Sequence, residues 1–328
     1  MSASAPTVAP LRPEATAVDV ARPIFVCGVG RSGTSLLQAM LAAHPEIALP
    51  PETHLFRRYV AAHGTRRRVT HGTVDSFLRT LAGDADLARA GIPSESLVAG
   101  EHDGEIDPAR VYRRLLERWA QGEGKPRVGD KDPRILDMLS DLATAFPSGL
   151  VVHIVRDPRA VVHSRMNAAW SKDRPWWSHA IVAEEQLRRG RRLGRACFGE
   201  RYLEVRYEEL LARPREVLET ICAHVDVPFD AAMLDFGGSA RRLVSDDEVS
   251  WKKETFGPLL TDNDAKWRGE LEPQQVAFIE AVCVEAFDGV GYERLGAAPG
   301  PVRGACLAAV RASGRAAYAV RRWREARR

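Results

Sequence analysis

Residues Gly28-Val29-Gly30-Arg31-Ser32-Gly33-Thr34-Ser35 constrain this chain more than any other stretch. They follow the apolar run Pro23-Ile24-Phe25-Val26-Cys27 and lead into Leu36-Leu37-Gln38-Ala39-Met40-Leu41, which has helical spacing. A strand, a glycine-rich turn and a helix, in that order, make a phosphate cradle. Backbone N–H groups of the turn and of the first helical residues converge on an anion, and the helix dipole adds positive potential. The spacing matches the pattern G-x-x-x-x-G-K-S/T at every position but the lysine, where this chain has Thr34. A cation comes earlier, at Arg31. That displacement bears directly on which nucleotide the loop holds.

A second segment of the same kind runs from Val151 to Ser164, again strand, turn and helix. Arg156 falls at the carboxyl end of the strand, and Ser164 lies two helical turns on. In open α/β sheets the ligand crevice lies beyond the strand ends. Arg156 and Ser164 are therefore candidates for a second anionic group. The competing reading is an Arg156–Asp157 surface pair and a solvated serine.

Between and after these segments the pattern alternates. Strands are expected at Ile24–Gly28, Ile47–Leu49, Arg127–Asp130, Leu150–Val155 and Tyr202–Arg206. Helices are expected at Thr34–Ala43, Arg134–Ala145, Pro158–Ala168, about 178–197, Glu208–Leu211, Arg215–His224 and Pro273–Phe287. Such alternation implies an α/β fold, P-loop-like, with a central parallel sheet flanked by helices in three layers. Residues 1–22, rich in Ala, Pro, Ser and Thr, read as a disordered leader, and 23–296 as the main domain. Within it 57–125 reads as a helical insertion that shapes acceptor specificity. Residues 297–328 form a basic tail, eight arginines against one acid, with the period of an amphipathic helix. Such a helix can lie on an anionic membrane; a solvated extension is the other reading.

The net charge of +3 over 328 residues is too small to argue for a nucleic-acid partner. The five cysteines, at 27, 197, 222, 283 and 306, form no C-x-x-C pair, so neither a disulfide framework nor a zinc site is expected. With no signal-peptide core and no apolar run of about 18 residues, the expected setting is cytoplasmic.

In these segments the chain resembles the sulfotransferases that use 3′-phosphoadenosine 5′-phosphosulfate (PAPS). It is most similar to the branch of tyrosylprotein sulfotransferases and related bacterial enzymes. The resemblance rests on the loop at 28–35, His44 and Pro45, Glu52 and Thr53, Lys131-Asp132-Pro133, the run from Val155 to Ser164, Arg206-Tyr207-Glu208-Glu209-Leu210, and Ala265-Lys266-Trp267. It implies that Gly30, Arg31, Ser32, Gly33, Thr34 and Ser35 hold the 5′-phosphosulfate side. Arg156 and Ser164 would hold the 3′-phosphate, and Tyr207 and Lys266 would touch the nucleotide elsewhere. Glu52 would be the base, with Arg31 and Lys131 stabilising the leaving phosphate. The product would be adenosine 3′,5′-bisphosphate, and no metal is called for. The acceptor would be a hydroxyl on a glycan, phenolic metabolite, lipid or tyrosine. Near Trp251–Thr255 the resemblance is poor and assigns no contact.

The chemistry is coherent on its own terms. Sulfuryl transfer needs a base within hydrogen-bond reach of the alcohol. It also needs fixed cations where the leaving oxygen gains charge, and the partners held in line. Competing roles are a helix cap for Glu52, a surface pair with Asp130 or Asp132 for Lys131, and His54 as the base in place of Glu52. Trp176 and Trp177 line either an acceptor pocket or ordinary core. Two other functions compete: a P-loop small-molecule kinase or NTPase, disfavoured by Thr34 in the lysine position, and a non-catalytic nucleotide-binding scaffold.

Overall fold

The computed structural model describes residues 17–61, 73–171, 173–244, 256–257, 259, 265–296 and 301–325. Its strands are β1 (Asp19–Cys27), β2 (Ile47–Ala48), β3 (Arg127–Lys131), β4 (Leu150–Val155) and β5 (Tyr202–Arg206). All pairings are parallel, in the order β2-β3-β1-β4-β5. The chain leaves β1 for one edge, returns as β3 beside β1, then crosses to β4 and β5. Strand order therefore reverses around β1, and a crevice opens beyond its carboxyl end.

The helices are α1 (Thr34–Ala43), α2 (Val74–Ala82), α3 (Ala85–Ala88), α4 (Ser94–Val98), α5 (Pro108–Glu123), α6 (Leu139–Ala145) and α7 (Pro158–Met166). They continue as α8 (Trp176–Phe198), α9 (Tyr207–Ala212), α10 (Pro214–His224), α11 (Gly237–Leu243), α12 (Trp267–Glu270), α13 (Pro273–Val282) and α14 (Pro301–Glu325). Local chemistry sets several ends. In α5, Asp107 caps the Ala109 N–H, Pro108 takes the first turn, and Gly124 closes in the left-handed region at φ 66°.

Period two along β1 builds the three layers. Ile24 and Val26 face one core with α1 and α10, while Phe25 and Cys27 face the other with α5, α6 and α8. The strand β4 is buried on both faces, as its unbroken apolar run requires. His153 within it is buried against the Tyr202 hydroxyl, 2.5 Å away, and burial lowers its pKa to about 4, so it serves the core as a neutral ring.

Most boundaries shift by a residue or two from the sequence expectation, and three elements differ by more. The expected helix Pro273–Phe287 is α13, ending at Val282, followed by a π-helical segment, Glu285–Val290. β1 begins at Asp19, inside the stretch assigned by composition to a leader, because the Asp19 N–H bonds Pro126 O at 2.8 Å and extends the pairing with β3. The expected helix Arg134–Ala145 is a 3-10 segment, Pro133–Met138, followed by α6, since Asp132 caps it at Arg134 N and proline opens it. The basic tail is not a separate extension. α14 packs on α8 and α13, with Tyr318 buried and Arg311 donating to Ala281 O at 2.8 Å.

Candidate active site

Every strand contributes to the crevice at its carboxyl end. β1 gives the glycine loop, β2 leads to Glu52, β3 ends in Lys131, β4 leads to Arg156, and β5 to Tyr207. No side chain caps the N-terminus of α1, whose N-cap is Gly33 in the left-handed region at φ 92°. Arg31 is also left-handed, at φ 81°. Alternating left- and right-handed residues curl a backbone so that its N–H groups point inward, as an anion nest requires. Thr34 is buried, and Ser32 is buried with its Oγ lacking a hydrogen-bond partner. An unsatisfied buried hydroxyl at the mouth of a nest fits an anionic ligand.

The second segment closes on the first. Arg31 Nε donates to Ser164 Oγ at 2.9 Å, and Arg156 Nη1 donates to Arg31 O at 3.1 Å. The Arg156 guanidinium lies over the Tyr207 ring, 4.2 Å from its centre. Tyr207 in turn packs against Gly33, where a Cβ would stand 2.4 Å from its Cδ2. Asp157 does not pair with Arg156. It caps α7 and holds Arg159, which also reaches Glu280.

Across the loop, Lys131 is fully buried and its Nζ contacts both Glu52 Oε1 and, at 3.4 Å, Ser35 Oγ. Glu52 is thus neither a helix cap nor solvent-facing, and Lys131 is no surface pair. His54 is left-handed at φ 55° and bonds Asp132 Oδ2 at 3.3 Å, with its Nε2 3.9 Å from Glu52 Oε2. Burial alone would raise the Asp132 carboxyl, but His54 and Arg57 outweigh it and hold the group below the ordinary range. Lys266 is exposed at the entry to α12, which packs on α7. The stretch from Trp251 to Thr255 lies outside the described residues.

Asp130 sits beneath Lys131. Tyr112 donates to its Oδ2 at 2.7 Å and the Lys131 N–H to its Oδ1 at 2.8 Å. Burial nevertheless pushes the carboxyl from 3.8 up to about 6. A raised acid keeps its proton in the folded state after the unfolded chain has lost it, so stability falls as pH rises from 3.8 through about 6. Asp130→Asn is expected to remove that fall, worth about 3 kcal/mol over the whole window. Melts followed by circular dichroism at pH 5 and pH 8 check it: the parent should lose more between the two than the variant.

Sequence reasoning has no handle on Arg165. It follows Ser164 directly, yet it is buried, and its Nη1 lies 3.8 Å from where a Cβ on Gly30 would stand. Nor does it foresee Tyr112, whose role depends on packing the insertion onto β3. Among the described residues no group of three His, Cys, Asp or Glu side chains is placed to hold a metal ion. No described helix is long and apolar enough to cross a membrane.

Comparison with known proteins adds a family. Residues 23–231 match a model described as "Sulfotransferase family". The protein-tyrosine sulfotransferase of Drosophila melanogaster is 31% identical over 263 residues, covering 76% of this chain and 47% of that protein. Protein-tyrosine sulfotransferase 1 of Danio rerio is 26% identical over 286 residues, covering 82% of this chain and 72% of its own length. The chain thus spans about half of the fly protein. Among solved structures, the sulfotransferase domain from the Synechococcus PCC 7002 olefin synthase superposes with a TM-score of 0.61 at 23% identity, covering 86% of this chain and 98% of that domain. At that identity the likeness speaks for the fold.

Proposed function

The chain belongs to the sulfotransferase family, and we propose that it transfers a sulfuryl group from PAPS to an acceptor hydroxyl. The observation that carries this reading is the joining of the two anion segments: Arg31 of the loop bonds Ser164 of α7, and Arg156 bonds the loop backbone. A nucleotide with phosphate groups at both its 5′ and 3′ positions suits such a pair of sites. Ser32, Gly33, Thr34 and Ser35 would hold the 5′ side together with Gly30 and Arg31. Arg156 and Ser164 would hold the 3′-phosphate, with Tyr207 and Lys266 at the rest of the nucleotide. PAPS supplies an activated sulfuryl group when bound. Glu52 receives the acceptor proton, and Lys131 and Arg31 set positive charge where the leaving oxygen gains charge.

The loop's departure from the ATP pattern gives the test. Adenosine 3′,5′-bisphosphate is expected to raise the melting temperature, and ADP or ATP–magnesium to raise it far less. At a hundred times its dissociation constant the bisphosphate stabilises by about 2.7 kcal/mol. An equal or larger shift with ATP–magnesium overturns the donor assignment and favours a kinase. The arginines on the outer side of α14, Arg315 and Arg324 among them, suit contact with an anionic membrane surface while the inner side stays on the domain.

A further inference from the structure

Arg165 ends α7 with only 4% of its surface exposed. Its Nε donates to His179 Nδ1 at 3.4 Å, and its guanidinium lies 5.2 Å from the centre of the Trp170 ring. Neither neighbour carries negative charge, since burial and the nearby Arg165 and Arg174 keep His179 neutral, with a pKa of about 4. The like charges of Arg174, Arg321 and Arg134 act on Arg165, opposed by Tyr318. Among the described residues no carboxylate bonds or pairs with Arg165. Burial and these like charges pull even its guanidinium down, to about 10. A buried cation without a counter-charge is costly, and an entering anion relieves that cost. Nη1 already lies beside Gly30 of the phosphate loop.

From this cluster an apolar groove of about 700 Å³ leads away. Its walls are Trp176, Trp177 and Ile181 of α8, Phe278 of α13, and the face of α14 around Ala317. Trp177 is 47% exposed at the groove, and Trp176 is fixed edge-on to Phe278. Tyr318 and Arg321 also line it. Tyr318 donates to Asp137 Oδ1 at 2.6 Å, on the 3-10 segment that follows Lys131 and Asp132. Tyr318 and Arg321, which line the groove, are also among the groups acting on Arg165, so the groove adjoins the cationic cluster. An apolar channel with a cation at one end matches a molecule that has hydrocarbon at one end and an anion at the other.

We propose that the acceptor is a single-chain anionic amphiphile bearing a free hydroxyl beside its charge. The hydrocarbon lies in the groove, the anionic group pairs with Arg165, and the hydroxyl is presented to Glu52. This rests on the sulfuryl-transfer reading. The acceptor oxygen bonds to sulfur as the sulfur–oxygen bond to the PAPS phosphate breaks. The phosphate oxygen keeps the bond's electron pair, and the acceptor proton passes to Glu52.

The probe is lauroyl lysophosphatidylglycerol below its micellar concentration, titrated calorimetrically, with mass spectrometry for the sulfated lipid in the presence of PAPS. The parent is expected to bind and sulfate it. Ala317→Phe, an exposed-face change that fills the groove, should weaken binding by about tenfold or more, as should Arg165→Gln. Neutral monolauroylglycerol should bind weakly to the parent and equally weakly to Arg165→Gln. Both variants should keep the thermal shift given by adenosine 3′,5′-bisphosphate, which shows them folded with the donor site whole. Loss of that shift in Arg165→Gln alone assigns the anion to the donor and overturns the proposal. So does binding that Ala317→Phe leaves unchanged, binding seen only to phosphatidylglycerol vesicles, or binding without transfer. A parent that responds to the bisphosphate but not to the lysolipid rejects only this inference; one that fails to respond to the bisphosphate rejects the donor reading itself.

Discussion

Glu52→Gln is expected to lower kcat by about 10²–10⁴-fold, the usual contribution of a positioned base, while adenosine 3′,5′-bisphosphate still stabilises the variant. The amide keeps the shape of the side chain and can no longer take a proton. The geometry makes this a demanding test, because Glu52 is also the carboxylate that meets the buried Lys131 ammonium. Removing one member of a buried pair costs stability by itself, about 3–5 kcal/mol when the partner stays charged. Two readouts separate the roles. A lost base lowers turnover at saturating donor and acceptor with the donor product still bound. A collapsed site also weakens the bisphosphate shift, because Lys131 Nζ reaches Ser35 Oγ at the mouth of the loop. Near-parental turnover in Glu52→Gln would falsify the base assignment and move it to His54, which stands 3.9 Å from the same carboxylate. His54→Gln is the companion variant. Since His54 bonds Asp132 and not the loop, its loss should affect turnover less than the loss of Glu52.

The sequence carries local order well and side-chain partnership poorly. The glycine loop, β4 and β5 are legible to the residue because each is written in contiguous chemistry: glycines before a helix, or an unbroken apolar run between turn residues. The grouping of Arg156 and Ser164 with the loop is legible through the rule that ligands gather beyond parallel strand ends, whereas Tyr207 enters only through the family resemblance. The start of β1 is not, since Asp19–Arg22 reads as polar leader and becomes strand only through pairing with Pro126 and Arg127. The Glu52–Lys131 pair spans 79 residues, and whether a lysine flanked by two aspartates turns to them or to a distant glutamate is decided by burial, which composition does not encode. Arg165 is the extreme case. Beside Ser164 in the chain it looks like a solvent-facing helix end, and only the docking of α8 and α14 encloses it.

Gly33→Ala tests how tightly the donor half is built, and here the loss is expected in both stability and binding. An L-residue in the left-handed region costs about 1–2 kcal/mol. The added methyl would also stand 2.4 Å from Tyr207 Cδ2, far inside contact distance, so either the loop or the ring must move. Movement of the ring carries Arg156 with it, because the guanidinium lies on Tyr207 while its Nη1 holds Arg31 O. One methyl thus disturbs the nest and the proposed 3′-phosphate ligand together. Urea unfolding should show a loss of about 2–4 kcal/mol, and the bisphosphate shift should vanish at concentrations that saturate the parent. Adding Tyr207→Leu makes room for the methyl. It should restore part of the stability but little of the bisphosphate shift, because the platform under Arg156 has gone and the φ cost remains. That split distinguishes a loop that merely tolerates glycine from one whose curvature and neighbouring cation form a single anion site. If Gly33→Ala binds the bisphosphate as the parent does, the loop is not the cradle.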